Sequence, residues 1–215
     1  FSKDVTDLSK NTEYYYRSQA AEYNFGTVFS TSEKKYFTTA TDTLKVPSAY
    51  STIQAGLNAA TSGDMVLVSA GTYTENIYWP DVNGIKLISA GDSSNTIIDG
   101  GGTSSVIYMN PQTATIDTTT LIQGFKITNG SNTNGGGLFL IASSPIITHC
   151  SINNNNAGIG GGVYSYTSSP IITNSSIHTN WTSGIGGGGL NFSNGSNGQL
   201  NNLSIHDNIS YNGKG

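Results

Sequence analysis

The sequence predicts an all-β chain whose larger part, from about residue 42 onward, is a parallel β-helix with one coil per repeat. Apolar residues recur in columns with a spacing of 25 residues, which lengthens to 28 in the last step. The three columns are Ile122, Ile147, Ile172 and Leu200; Phe125, Cys150, Ser175 and Leu203; and Ile127, Ile152, Ile177 and Ile205. Glycine runs that start at residues 135, 160 and 186 keep the same rhythm. Columns with a period in the twenties are typical of a solenoid.

Other solenoid classes fit the composition less well. Leucine-rich repeats need a leucine-rich consensus, whereas these repeats are rich in Ile, Gly and Asn. Helical repeats need long helices, which runs of three glycines and four asparagines disfavour. Calcium-binding nonapeptide repeats need a recurrent Asp, but Asp207 is the only acidic residue from 118 to 215.

Residues 1–40 predict a different unit, the C-terminal part of a β-sandwich. Two strands are predicted there, at residues 14–25 and 27–39. The residues ahead of the first strand and at its start resemble the E–F corner of a fibronectin type III domain, where a tyrosine hydroxyl ties the corner to the upstream backbone. The residues that carry this resemblance are Leu8, Thr12, Tyr14 and Tyr16. Half a sandwich cannot bury its inner face, so we expect a fragment of a multidomain polypeptide. The alternative is an irregular N-terminal hairpin packed on the domain that follows.

A linker is predicted at residues 41–50, and the β-helix is predicted at residues 51–215, opening with a short helix that Ser51 or Thr52 can cap. The apolar residues of that helix, at i, i+4 and i+7, are Ile53, Leu57 and Ala60. Such a helix covers the apolar cross-section and open strand edges at the end of the solenoid. Because an uncapped last coil is unstable, we expect the solenoid to continue beyond Gly215.

The opening of this domain resembles that of the pectin-lyase-like superfamily. The resemblance rests on Tyr50-Ser-Thr-Ile-Gln-Ala-Gly-Leu57, on Gly63-Asp64 and on the strand at residues 65–68 with the following Ser-Ala-Gly-Thr-Tyr. It covers about 170 residues and implies a right-handed coil.

One further column lies between two inward columns and predicts a tight turn. Its members are Gly124, His149, Asn174 and Asn202. Gly and Asn are the residues that best tolerate left-handed backbone geometry, and stacked Asn side chains can hydrogen-bond along the coil axis. Cys150 falls in an inward column, which indicates a small core residue rather than a nucleophile.

The composition excludes several functions. Charged residues make up 10% of the chain and the net charge is −4, so no basic nucleic-acid footprint exists and no nucleic-acid partner is expected. No apolar run approaches the roughly 18 residues of a membrane span, so no membrane insertion is expected. The single cysteine excludes a disulfide framework within the chain.

The residues that polysaccharide lyases and hydrolases use are sparse. Arg17, the only arginine, lies outside the predicted β-helix. The acidic residues of the β-helix are dispersed, and most adjoin turn residues, which favours roles as turn caps: Asp64, Glu75, Asp81, Asp92, Asp99, Asp117 and Asp207. We therefore assign no catalytic, cofactor-binding or metal-binding residue. Fold resemblance alone does not carry an activity.

The three histidines divide between two positions. His149 lies in the turn column, whereas His178 and His206 each follow an inward isoleucine and align one coil apart. A metal pair is conceivable, but a polar pair beside a turn is the favoured interpretation.

A binding surface is predicted on the strands that follow the glycine runs. If Leu138, Val163 and Leu190 point inward, the alternation of a strand turns the next residues outward. The predicted glycan-facing residues are Phe139, Tyr164, Tyr166 and Asn191, with Ile141 beside Tyr166. The alternative is that these are ordinary strand aromatics covered by a loop or a neighbouring domain.

These observations predict a non-catalytic segment of a large secreted or cell-surface protein, acting as an adhesin, stalk or surface-layer component. The tandem of sandwich and Gly/Asn-rich β-helix resembles bacterial surface proteins of the Bacteroidetes type, which implies type IX secretion. The expected partners are a surface polysaccharide or another cell-envelope component, and the rest of the polypeptide at both ends. One alternative is a polysaccharide lyase or glycoside hydrolase with its catalytic coils outside this fragment. The other is a phage or viral spike, which would usually be a trimer.

Overall fold

The computed structural model describes residues 41–212, together with the backbone of four short strands before them. The chain divides into two compact units, Phe1–Thr41 and Asp42–Gly215.

In the first unit, the described residues form two antiparallel strand pairs. Strand β1 (Glu13–Tyr16) pairs with β4 (Lys35–Thr38), and β2 (Ala20–Ala21) pairs with β3 (Thr27–Val28). Glu13 lies opposite Thr38 in the first pair, and Ala21 lies opposite Thr27 in the second. Apart from Glu13, the paired residues lie within the two strands predicted at residues 14–25 and 27–39.

The resemblance to a fibronectin corner falls mostly outside the described part of this unit. Leu8 and Thr12 lie outside the described residues, and for Tyr14 and Tyr16 only the backbone, in β1, is described. The sandwich assignment therefore stays a prediction.

The second unit is a parallel β-solenoid of about seven turns. In chain order its elements are β5 (Thr43–Val46), α1 (Ile53–Ala59), β6 (Met65–Val68), β7 (Gly71–Thr74), β8 (Ile77–Tyr78), β9 (Lys86–Ser89), β10 (Thr96–Asp99), β11 (Ile107–Met109), β12 (Leu121–Gln123), β13 (Lys126–Thr128), β14 (Ser131–Asn134), β15 (Leu138–Ile141), β16 (Ile146–Thr148), β17 (Ser151–Asn153), β18 (Asn156–Ile159), β19 (Val163–Tyr166), β20 (Ile171–His178), β21 (Trp181–Thr182), β22 (Leu190–Ser193), β23 (Gln199–His206) and β24 (Ile209–Ser210).

The strands stack into four faces, and every pairing between successive coils is parallel. Face A contains β5, β6, β9, β12 and β16, and face B contains β7, β10, β13 and β17. The long strands β20 and β23 turn the corner between faces A and B and belong to both. Face C contains β8, β11, β15, β19 and β22, and the short face D contains β14, β18, β21 and β24.

The predicted helix is confirmed as α1. Thr52 is its N-cap and accepts a hydrogen bond from the Ala55 amide at 3.0 Å. Ile53 and Leu57 are fully buried, as the amphipathic spacing predicts. A Cβ added at Gly56 would lie 3.0 Å from Val66 Cγ1, so the glycine allows the helix to pack closely on face A.

The predicted linker at residues 41–50 needs correction, because it contains strand β5. Leu44 and Val46 point inward and are buried, while Thr43 and Lys45 are exposed. This alternation gives β5 one buried face, and β5 pairs in parallel with β6. The helix therefore lies between the first two strands of face A instead of ahead of them.

The strand register confirms two of the three predicted inward columns, and burial confirms the third, in which Phe125, Cys150 and Ser175 are all buried. Ile122, Ile147 and Ile172 face one another across β12, β16 and β20, and the column ends at Leu200. The second column of isoleucines, from Ile127 to Ile205, follows β13, β17, β20 and β23 in the same way. The residues at the centre of these columns are fully buried, and they form the core of the solenoid.

The predicted turn column is also confirmed. Gly124, His149, Asn174 and Asn202 all have positive φ, between 49° and 82°. The Asn202 amide donates a hydrogen bond to Asn174 Oδ1 at 2.7 Å, so the expected stacking of asparagine side chains occurs here. The turn between faces A and B therefore repeats in four successive coils with a left-handed residue at the same position.

A second turn column, between faces B and D, is more deeply buried. Asn155 and Asn180 are fully buried, and the Asn155 amide nitrogen donates to Asn180 Oδ1 at 3.0 Å. Asn180 repeats the pattern with Asn208 at 3.0 Å, and each of these side chains also accepts from the backbone amide one coil before it. This asparagine ladder satisfies backbone groups where strand pairing is interrupted.

Candidate functional site

The predicted glycan-facing residues belong to a longer aromatic column on face C. The strand register places Tyr78, Tyr108, Phe139, Tyr164 and Asn191 opposite one another in successive coils. The ring centroids are 6.0 Å apart at the first step and 5.3 Å apart at the next two. Sequence reasoning predicted the last three positions and missed the first two.

The inward side of face C matches the prediction. Leu138 and Val163 are fully buried, and Leu190 is partly buried. The residues that follow them therefore point away from the core, as strand alternation requires. An apolar residue followed by an aromatic one, as in Ile77-Tyr78 and Ile107-Tyr108, is the signal by which the two missed positions could have been found.

Exposure is uneven along this aromatic column. Tyr78 is 56% exposed and Tyr166 is 39% exposed, whereas Tyr164 is only 8% exposed. Phe139 stacks on Tyr164 with an interplanar angle of 24°, and the Tyr164 hydroxyl accepts from Ser193 Oγ at 2.9 Å. Tyr164 is therefore a supporting ring, and the rings open to a ligand are those around it.

The glycine runs let face D turn directly into face C. A Cβ at Gly136 would collide with the carbonyl oxygen of Asn156 and would lie 2.7 Å from that of Gly161. A Cβ at Gly162 would lie 2.5 Å from the carbonyl oxygen of Gly189. Backbone of successive coils approaches here too closely for any side chain, which fixes the position of the aromatic column.

A second surface is an open groove of about 790 Å³ beside face B. Its floor carries the serines Ser151, Ser176 and Ser204, one per coil, with the turn column on one side. The loop at residues 92–94 lines it at one end. Most of its lining residues are serines and asparagines, and sequence reasoning did not predict this groove.

The histidines lie as the sequence predicts. His178 and His206 stack one coil apart, with ring centroids 4.9 Å apart and planes within 3°. Each Nδ1 is engaged by the next residue, Thr179 Oγ1 at 3.0 Å and Asp207 Oδ2 at 2.7 Å. An imidazole binds a metal in its ring plane, so two stacked parallel rings do not share an ion. In the described part of the chain, no three His, Cys, Asp or Glu residues gather as a metal site.

The environment of His178 disfavours its charged form. Burial lowers the pKa of its imidazole, and the neighbouring His206 and Lys126 lower it further, while Asp207 opposes them. His178 therefore becomes charged less readily than an isolated histidine would.

The carboxylates of the first coils hold turns and loops. Glu75 accepts from the amides of Ile53 and Gln54 at 2.9 and 3.0 Å, at the start of α1. Asp81 accepts from three successive backbone amides of the loop at residues 112–114, and hydrogen bonding, first from the Thr113 hydroxyl, lowers its pKa. Similar bonds from the following turn lower the pKa of two further carboxyl groups, Asp92 and Asp117.

Cys150 is a core residue, as predicted. Its side chain is 2% exposed, and its thiol lies 3.3 Å from the carbonyl oxygen of Thr148. Burial raises the pKa of the thiol to about 11. A nucleophilic cysteine needs the opposite environment, open to solvent with a lowered pKa.

Comparison with known proteins adds no family to this description. No protein-family model matches the chain, and no curated protein matches it. Within the described residues, the helix found is far too short to cross a membrane. The fold and the surfaces above are therefore the basis for any statement about function.

Proposed function

We propose that this chain is a stiff, non-catalytic segment of a secreted or cell-surface protein that binds a glycan along face C. Such a segment would serve in an adhesin, a stalk or a surface-layer component. The observation that carries the proposal is the aromatic column from Tyr78 to Tyr164, with Tyr166 beside it.

Stiffness follows from how the coils are joined. Each coil pairs with the next on several faces, and the asparagine ladder continues this bonding through the turn. A second ladder runs through buried serines, where the Ser143 and Ser168 amides donate to Ser168 and Ser196 hydroxyls at 2.9 and 3.0 Å. A rod joined in this way presents its side faces at fixed spacing.

Face C has the chemistry that a glycan needs. Exposed aromatic rings offer apolar area with little side-chain entropy to lose, and Tyr hydroxyls and Asn amides offer hydrogen bonds. Coils repeat at roughly 4.8 Å, so a polymer lying along the axis would meet Phe139, Tyr166 and Asn191 in sequence. We infer that Tyr166 and Phe139 make the main contacts because Tyr164 is covered.

We further infer that the coil is right-handed and belongs with the pectin-lyase-like solenoids, following a fibronectin type III-like sandwich. The low charge and the Asn-, Ser- and Thr-rich surface support an extracellular location, and the tandem supports type IX secretion by a bacterium of the Bacteroidetes type. These finer assignments rest on the sequence resemblance.

Affinity electrophoresis against a panel of soluble polysaccharides tests the glycan proposal. The expected result is retarded migration with at least one polysaccharide. Tyr166→Ala and Phe139→Ala should each weaken binding by about 1–2 kcal/mol, as loss of an aromatic anchor does, which is roughly five- to thirtyfold.

Ile185→Ala is the matched control. Ile185 is 72% exposed and lies in the loop between β21 and β22, outside the aromatic column, so its loss removes exposed apolar area without removing an aromatic ring. If no polysaccharide retards the chain, or if all three variants bind like the wild type, face C is not a glycan surface.

A further inference from the structure

A small pocket between the last two described coils lies away from face C. It has a volume of about 230 Å³ and is lined by Thr179, Asn180, Trp181, Asp207, Ile209 and Tyr211. Trp181 and Tyr211 meet with ring centroids 5.9 Å apart and planes at 76°. Both rings are open to solvent, with 39% and 74% of their surface exposed. Two aromatic rings thus form the corner of the pocket.

The polar groups of this pocket are mostly occupied. The Thr179 hydroxyl is bonded to His178 Nδ1 at 3.0 Å. The Asn180 amide donates to the carbonyl oxygen of Ile152 at 2.9 Å and to Asn208, and its oxygen accepts from Asn155. These two side chains therefore have little hydrogen-bonding capacity left for a ligand.

The one charged side chain that lines this pocket is the carboxylate of Asp207. Asp207 is the only acidic residue between 118 and 215, and its side chain is 76% exposed. One of its oxygens faces His206 at 2.7 Å. A carboxylate accepts hydrogen bonds and attracts positive charge but donates nothing when ionised. Beside the two rings it makes the pocket complementary to a cation with apolar substituents.

We propose that this pocket binds a quaternary ammonium group, specifically the trimethylammonium group of choline. Aromatic faces attract such cations through the negative charge density above the ring, and tryptophan is the strongest of the three rings. The methyl groups of choline need no hydrogen-bond donors, which suits a lining whose amide and hydroxyl are already bonded. A sugar ring would need those donors and acceptors free. This site is independent of the glycan proposal for face C.

Titration of the full chain with choline chloride, followed by the NMR signal of the Trp181 indole N–H, tests the site. The expected result is a saturable shift of that signal, which the buried Trp79 indole does not share. The neutral isostere 3,3-dimethylbutan-1-ol has the same shape without the charge. It should bind at least fivefold more weakly.

Variants locate the site. Trp181→Leu should weaken choline binding at least tenfold, and Asp207→Asn should weaken it several-fold. Ile185→Ala, outside the pocket, should leave it unchanged. If the neutral isostere binds as well as choline, if methyl glucoside shifts the same signal more strongly, or if no shift saturates, the proposal is wrong. The isostere comparison uses the unmodified chain, so it decides the question even if a variant fails to fold.

Discussion

Replacement of Asn180 by alanine is the most direct test of how the solenoid is held together. Asn180 is fully buried in the asparagine ladder and takes part in four side-chain hydrogen bonds. It accepts from the amide and the side chain of Asn155, and it donates to Ile152 and Asn208. Alanine removes all four bonds and leaves the partners inside the turn.

The expected cost follows from the number of bonds and the burial of their partners. A typical hydrogen bond contributes about 1 kcal/mol net, and a buried group left without a partner costs about 1–3 kcal/mol. The Asn155 amide has no route to solvent in the native turn, because Asn155 is itself fully buried. Entry of one water would recover part of the loss. We expect the free energy of unfolding to fall by about 3–5 kcal/mol.

Urea unfolding followed by circular dichroism measures this change, and Asn197→Ala is the control. Asn197 is exposed, and its side chain is not part of a ladder, so its loss should change stability by less than about 0.5 kcal/mol. Amide hydrogen exchange at Asn155 gives a local readout, since coils of a solenoid can open separately. A loss below about 1 kcal/mol, with the Asn155 amide still protected, would refute the assigned role of the ladder.

Three further predictions follow from burial, titration and close packing. The Cys150 thiol, with its pKa raised to about 11, should react with a disulfide reagent at least about a hundredfold more slowly in the native chain than in urea; equal rates would contradict its burial. Burial, together with His206 and Lys126, lowers the pKa of His178 in the folded chain. As the pH falls, this histidine is therefore protonated in the unfolded chain before it is protonated in the folded chain, so the free energy of unfolding should decrease from about pH 7 to about pH 5. His178→Gln should flatten this decline in thermal unfolding, and an unchanged slope would refute the assignment. Gly136→Ala, which drives a Cβ into backbone carbonyls, should cost at least about 2–3 kcal/mol in urea unfolding. Gly195→Ala, where a Cβ meets open space at a φ of +77°, should cost only about 1–2 kcal/mol.

The sequence was sufficient to predict the coils of regular length. From β12 to β20 the strands of face A start 25 residues apart, at 121, 146 and 171, so columns of isoleucine align by simple counting. The earlier strands of this face start at 43, 65 and 86, and the step to 121 is much longer. In these early coils, loops of different length at the turns interrupt the regular spacing between equivalent residues. This is why strand β5 and the aromatic positions Tyr78 and Tyr108 were missed.

The buried asparagine ladder could not be located from the sequence for a different reason. Residues 153 to 156 are four consecutive asparagines, which are chemically identical. In the structure Asn154 is exposed with a φ of 55°, and Asn155 is fully buried. One residue in left-handed geometry reverses which neighbour points inward, and a period alone does not reveal where that residue falls. The groove beside face B was missed likewise, because it depends on the loop at 92–94 lying beside coils far along the chain.

The distribution of polar residues follows from the two kinds of turn. Long loops in the first coils have several backbone amides to satisfy at once, and carboxylates such as Glu75 and Asp81 accept two or three of them together. Each tight turn in the later coils leaves one backbone amide at the same position without a strand partner. A stacked Asn or Ser side chain accepts its hydrogen bond without adding charge. Like charges stacked at roughly 4.8 Å would repel one another, so a ladder of carboxylates is excluded where a ladder of amides is stable. Asp207 is the one carboxylate of these coils, and it takes the left-handed position of its turn, with a φ of 55°, one coil after the left-handed Thr179. Aspartate tolerates this backbone geometry as asparagine does, so one isolated charge fits the turn where a column of stacked charges would not.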